Sequence, residues 1–415
     1  MAQLACEMNV VARDGYARCG EVKLNHRGTT VLTPIFMPVG TQGTVKALLA
    51  QEQLGAELDC RILLGNTYHL GHRPGPERLR AMGGLHQAMR WNRGILTDSG
   101  GFQMVSLLSL SDVCEEGVRF RSPHDGTEQL LTPEASMMQQ RAIGSDIAMA
   151  LDDVVRPHTT APARLREATE RTIRWIDRCQ TVIPRTDPTQ ALFGIVQGGL
   201  HNDLRSVCLD ELVRRDLQGY AVGGLAGGEA KEDFWPVIAQ CGAALPTNKP
   251  RYAMGIGYAE DMLICVAHGI DMFDCVFPTR TARFGTALVR DKNTPTGSID
   301  LRNSKYTLDL SILDTECPCE ACRGGISRAA LHAMFTSGNK ESVAIGSQLL
   351  THHNVAHQLR LMKDARNAIM KGEFASFVTG YMVDRYGGDV ESVPKWIVSA
   401  LAAAGITFKK YNNVY

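Results

Sequence analysis

The chain has 415 residues, 44% of them hydrophobic and 21% charged, with 44 Lys and Arg against 44 Asp and Glu. Such a composition is that of a folded globular protein with a large core and excludes a disordered chain. Zero net charge excludes a global electrostatic footprint for a polyanion, so any nucleic-acid surface must be local.

The N-terminal stretch MAQLACEMNVVARDG lacks the basic run and apolar segment of a secretory signal. The residues before Thr33 then read as a small β element, alternating loosely from Gly20 to Val31. From about Leu32 to Val276 one grammar repeats: a short apolar run, a Gly-rich or polar exit, then an amphipathic stretch. The runs are TPIFMPVG, CRILLGN, GILTDSGG, SDIAMALDD, ALFGIVQGG, GYAVGGLAGG, PRYAMGIG and MFDCVFP. Strands alternating with helices imply a parallel sheet with right-handed crossovers, and eight such units close into a (β/α)8 TIM barrel. An open doubly wound sheet is the alternative.

Within this grammar, Val118 to Leu131 interrupts with an Asp-Gly turn and reads as a hairpin ahead of the helix TPEASMMQQRAIG. The helix that follows the fourth run is expected to bury Leu165, Ala168, Thr172, Trp175, Ile176 and Cys179, which fall at three- and four-residue steps. Toward the C-terminus, WIVSALAAAGI is too short to span a membrane. A soluble intracellular chain is expected, with its twelve cysteines mostly reduced.

Barrel enzymes assemble their active sites at the carboxyl ends of the strands. Here the runs end in Gly40, Asn66, Asp98, Asp152, Gln197, Gly224, Gly255 and Asp274. Glycines there serve ordinary turns, but three aspartates and a glutamine converging on one rim suit a polar site. Asp274 lies in the apolar run MFDCVF, where a carboxylate needs a partner or a job. Pro278 is expected to end that strand and to leave Arg280 and Arg283 on a loop, able to hold an anion. A plain salt bridge from Asp274 to Arg280 is the competing reading. Arg280 to Lys305 carries six basic and two acidic residues, a local +4.

Residues 317–322 read CPCEAC. Three thiols that close in an intracellular chain are metal ligands more often than disulfides, and soft sulfur favours tetrahedral zinc. A fourth ligand must come from outside; His332, His352, His353 and His357 are candidates, and His353 is preferred. Four protein ligands would make one zinc ion structural.

Seven segments, TDSGGFQ (97–103), ALDD (150–153), GIVQGG (194–199), AVGGLAGGE (221–229), YAMGIG (252–257), FDCVFPTRTARFG (273–285) and CPCEAC, together resemble the queuine tRNA-ribosyltransferases, or tRNA-guanine transglycosylases. The resemblance runs in order from about Gly20 to the C-terminal helix. It implies one barrel domain over residues 1–415 with a zinc-binding subdomain at about 310–355. It also implies exchange of a guanine in tRNA, at the anticodon wobble position (34), for a deazaguanine base.

Residue by residue, the resemblance makes Asp274 the nucleophile and Asp98 the general acid/base. Ser99, Gly100, Gly101, Asp152, Gln197, Gly224 and Leu225 become base-binding positions, with Phe102 and Met254 sandwiching the purine. Gly255, Ile256, Gly257, Tyr258, Ala259, Glu260 and Asp261 match an RNA-contacting segment, and so do Thr279, Arg280, Thr281, Ala282 and Arg283. The zinc ligands become Cys317, Cys319, Cys322 and His353, which precedes Asn354 as the family histidine precedes an asparagine; His352 stays open. Bacterial members carry a cysteine where Val154 stands and a valine where Gly227 stands. Gly227 frees volume for the larger queuine substituent, so the chain resembles the eukaryotic catalytic subunit. Implied partners are tRNA, free queuine, and a homologous non-catalytic subunit in a heterodimer or a second copy in a homodimer. The implied location is cytoplasmic, including an association with the mitochondrial outer surface.

The residue types suit this chemistry. Breaking an N-glycosidic bond passes through an oxocarbenium-like state that one carboxylate can capture while a second carboxyl moves the proton of the departing base. A hydrogen-bonded purine edge discriminates better than shape alone. Two other classes fit less of the chain: a subunit that only presents tRNA, and a hydrolase of small N-glycosides.

Overall fold

The computed structural model describes residues 3–101, 111–122, 126–155, 161–290, 294 and 296–408. One parallel sheet runs through Ile35–Met37, Val39–Gly40, Ile62–Gly65, Gly94–Thr97, Ile147–Met149, Ala191–Val196, Gly219–Val222, Arg251–Ala253 and Met272–Asp274. The first two segments are halves of one strand. Ile35–Met37 pairs with Met272–Asp274, and Val39–Gly40 pairs with Leu64 and Gly65 on the other side. Pro38 between them has no N–H for a ladder, although its carbonyl accepts from the Leu64 N–H at 2.9 Å. The sheet therefore closes on itself as an eight-stranded barrel, not an open doubly wound sheet, and each of the eight sequence runs supplies one strand.

These strands are apolar on both faces because one side fills the barrel and the other carries helices. Ala191–Val196 and Gly219–Val222, for example, are buried throughout. The helix Pro133–Ile143 starts where the Thr132 hydroxyl accepts the Ala135 N–H at 3.1 Å and stops at Gly144, whose φ is 74°. Pro162–Val182 buries all six residues expected from its spacing.

An antiparallel sheet of Cys6–Asp14, Ala17–Leu24 and Thr29–Thr33 starts earlier than the alternation suggested and covers the amino ends of the barrel strands. The Cys6 N–H donates to Gln218 just ahead of Gly219–Val222, and Arg18 pairs with Asp271 just ahead of Met272–Asp274. The expected hairpin is present as Val118–Arg121 and Glu128–Leu131, with Ser111–Val113 as a third strand; residues 123–125 of its turn lie outside the described residues. A 32-residue helix, Lys340–Lys371, packs on the half-strand Ile35–Met37, on the N-terminal sheet and on the segments that follow the barrel's last strand.

The last strand corrects one expectation. It ends at Asp274, and Pro278 does not terminate it but opens a short helix, Phe277–Ala282, that carries Arg280 and leads into Arg283. Proline's fixed φ suits the first helical turn, where its missing N–H has no partner to lose.

Candidate active site

Asp98 leaves the third strand at Thr97 and is buried at the rim. Its carboxylate accepts from the Asn66 amide at 2.6 Å and the Thr67 N–H at 2.8 Å, while its own carbonyl accepts from the Thr67 hydroxyl at 2.5 Å. Asn66 spends its other end capping Thr67–His72 through the His69 N–H. One strand exit thus aims the next exit's carboxylate.

Asp152 follows the fourth strand and is 4% exposed. It accepts from Gln197 Nε2 at 2.7 Å and Ser99 Oγ at 3.1 Å, so residues past three neighbouring strands meet at one carboxyl group. Burial raises its pKa to about 6 against the lowering effect of those two donors. Gly224, with φ of 68°, sits so close to Gln197 that a Cβ there would lie 2.5 Å from Oε1. Only glycine fits that turn.

Asp274 ends the eighth strand. Its Oδ1 accepts from the Tyr252 hydroxyl and, at 2.8 Å, from the Gly255 N–H. Oδ2 has no hydrogen-bond partner among the described residues, and the anticipated alternative of a salt bridge to Arg280 does not form. Burial raises the Asp274 pKa, opposed by those two donors. The Tyr252 hydroxyl is held well above its ordinary range by burial, then by the charges of both Asp274 and Asp98.

Around these groups, Ser99, Gly100 and Gly101 are buried, and Leu225, Met254 and Val154 are half-buried. Phe102 lies outside the described residues. Gly227 is exposed, its N–H donating to Glu229 at 2.9 Å.

The two segments expected to contact RNA divide by burial. Gly255, Tyr258, Arg280 and Arg283 are exposed, Ala259, Glu260 and Thr281 are half-buried, and Ile256, Gly257, Asp261, Thr279 and Ala282 are buried behind them. Asp261 faces inward to Lys231 at 2.5 Å, with a pKa raised to about 6 by burial against the pull of that lysine. Such a carboxylate is unsuited to touching RNA. Within the +4 segment, Arg290 pairs with Asp364 from outside it, while Arg302 pairs with Asp300, one of the two acids already counted in that charge. Arg280 and Arg283 form no ion pair among the described residues and leave their charge for solvent or a ligand.

Cys317, Cys319, Cys322 and His353 are buried with their ligand atoms within 4.8 Å of one another, and the thiols are free. His353 Nε2 lies 2.8 Å from the Leu288 carbonyl, which can only accept. Nε2 must carry the proton, which leaves the Nδ1 lone pair facing Cys319 and Cys322 at 3.5 and 3.4 Å. This set can hold a metal ion. His352 is turned to the Glu320 N–H, and His332 packs against the Leu301 carbonyl.

Several supporting residues carry no signal in the sequence. Arg205 is fully buried with no carboxylate paired to it among the described residues, and donates to the carbonyls of Val196, Gly199 and Gly223 at 2.7 to 2.8 Å, locking two strand exits together. Glu115 ties the three-stranded insertion to Arg171 and Arg174. Tyr252 could be suspected only from the apolar run that holds it.

A parallel barrel presenting two carboxylates, a hydrogen-bonding edge and free arginines at one rim is equipped for transfer at a glycosidic carbon, the work of a pentosyltransferase. Comparison with known protein families matches residues 14–387 to the family described as "Queuine tRNA-ribosyltransferase". A queuine tRNA-ribosyltransferase catalytic subunit of Schizosaccharomyces pombe is 50% identical over 97% of this chain and 98% of its own length. One from Caenorhabditis briggsae is 48% identical over 96% and 98%, and a queuine tRNA-ribosyltransferase of Thermus thermophilus is 43% identical over 95% and 98%. The chain belongs to the queuine tRNA-ribosyltransferase family, whose members exchange guanine for queuine in tRNA as part of queuosine modification.

Proposed function

We propose that the chain replaces guanine at the wobble position (34) of tRNA with queuine through a covalent Asp274–ribose intermediate. The observation that carries this reading is a rim carboxylate oriented by a hydroxyl and a backbone N–H, with no cation paired to it and with Oδ2 unengaged among the described residues. Oδ2 attacks C1′ as the C1′–guanine bond breaks, and Asp98 gives the departing guanine its proton. The incoming queuine returns that proton to Asp98 and displaces Asp274 from C1′. Asp152 and Gln197 read the purine edge, Phe102 and Met254 flank the ring, and Arg280 and Arg283 take phosphates.

Cys317, Cys319, Cys322 and His353 would hold one zinc ion, within a subdomain spanning about 310–355 of a single barrel domain. When bound, the ion crosslinks this segment. The names of the eukaryotic relatives as catalytic subunits support a homologous accessory subunit as partner, with a homodimer as the other arrangement. We place the enzyme in the cytoplasm, able to associate with the mitochondrial outer surface. Incubating the purified chain with tRNA and a base analogue that traps the intermediate should give an RNA adduct on a denaturing gel. An adduct absent with the chain alone and restored by no partner would instead favour a subunit that only presents tRNA.

A further inference from the structure

We propose that Asn354 and Gln358 are positioning residues that hold the backbone on both sides of Asp274; this rests on the reading of Asp274 as nucleophile. Both lie on Lys340–Lys371 and are 0% and 1% exposed. The Asn354 Oδ1 accepts from the Leu288 N–H at 2.8 Å, and its Nδ2 donates to the carbonyls of Thr286 at 3.0 Å and Pro278 at 3.1 Å. Its amide thus spans the strand Thr286–Leu288 and the first turn of the arginine-bearing helix. Gln358 Nε2 donates to the Gly257 carbonyl at 2.6 Å. Gly257 follows closely on Gly255, whose N–H holds Oδ1 of Asp274.

The two anchored segments also touch each other. A Cβ on Gly257 would lie 2.3 Å from the Cβ of Cys275, so the two backbones approach too closely there for a side chain at 257. Asp274 stands between these fixed points in sequence and makes no hydrogen bond of its own with either amide. Buried amides that satisfy backbone carbonyls on two different segments set the distance between those segments, and a sub-ångström drift there moves the carboxylate relative to C1′.

The test uses Gln358→Met, which keeps length and loses the donor, and Asn354→Asp, which keeps the acceptor and loses both donors. Each is assayed in the full-length chain, with its partner if one is required, for kcat, KM for tRNA, adduct formation, metal per chain and melting temperature. Gln358→Met should lower kcat and the rate of adduct formation about tenfold or more, with KM for tRNA within about threefold and metal content unchanged. Asn354→Asp should lower both rates further. A folded Gln358→Met enzyme with parental kcat overturns the proposal, even if its melting temperature falls, and it decides the matter should Asn354→Asp fail to fold. Asp274→Ala separates the two levels: if that variant stays active the nucleophile reading itself fails, whereas an inactive Asp274→Ala beside a fully active Gln358→Met sinks the positioning role alone.

Discussion

The two ends of the barrel treat carboxylates in opposite ways. Asp271 stands just ahead of Met272–Asp274 and is locked to Arg18 at 2.5 Å, with both side chains 0% exposed. Asp274, at the other end of that same strand, has only a phenol and a backbone N–H among the described residues. The fourth strand repeats the contrast: Asp146 ahead of it meets Arg27 at 3.2 Å and His86 at 3.1 Å, while Asp152 beyond it meets Ser99 and Gln197. An arginine satisfies a buried carboxylate and leaves it inert, whereas neutral donors fix its direction and leave its charge available. One end is built for stability and the other for reaction.

The largest effect that would break this contrast concerns Asp274. Asp274→Ala should lower base exchange by about 10⁴-fold or more and abolish the RNA adduct, with no loss of melting temperature. Substantial exchange by that variant would remove the division of labour. Next, Asp98→Asn should cost about 10² to 10⁴-fold in kcat, the usual scale for a lost general acid/base, with tRNA affinity retained in a filter-binding assay. At the opposite end, Asp271→Ala should cost about 3–5 kcal/mol of stability, because Arg18 is left buried without its counter-charge. Denaturant unfolding measures this, and the surviving folded fraction should exchange bases at close to the parental rate. A variant that lost activity without losing stability would show that the amino end takes part in the chemistry.

The smallest effect is on pH. The Asp152 pKa is raised to about 6, so its carboxylate is ionised above that value and takes up a proton as pH falls through it. Binding of a base that donates N–H groups should weaken below about pH 6, by roughly tenfold per unit once the group is protonated. Stability moves the other way: a raised carboxylate pKa means the folded state gains protons before the unfolded chain does, so this group's burial penalty is relieved over the same interval. As pH falls from 8 to 5, KM for the free base and melting temperature should therefore both rise, and a KM that rose while the melting temperature fell would assign the titration to another group.

What was readable in the sequence is what depends on neighbours along the chain. The eight strand runs, the buried face of Pro162–Val182, the rim positions of Asp98, Asp152, Gln197 and Asp274, and the CPCEAC cluster all follow from local spacing. Less local features were hidden. Pro278 can stop a strand or start a helix, and only the packing of Asn354 against its carbonyl and that of Thr286 shows the helix winning. Residue type could not separate His352 from His353 either, but adjacent helical positions point about 100° apart, and only one faces the thiols. The grip of Arg205 and the clamp on Glu115 join segments whose partnership no periodicity announces.

The split first strand has a consequence for how this molecule comes into being. Its half at Ile35–Met37 finds its neighbour only when Met272–Asp274 arrives, more than two hundred positions later in the chain. That seam is the last joint of the ring and also bears Asp274. A nascent polypeptide emerging from the ribosome therefore cannot seal the ring, or set the carboxylate that the seam carries, before that late stretch has been made.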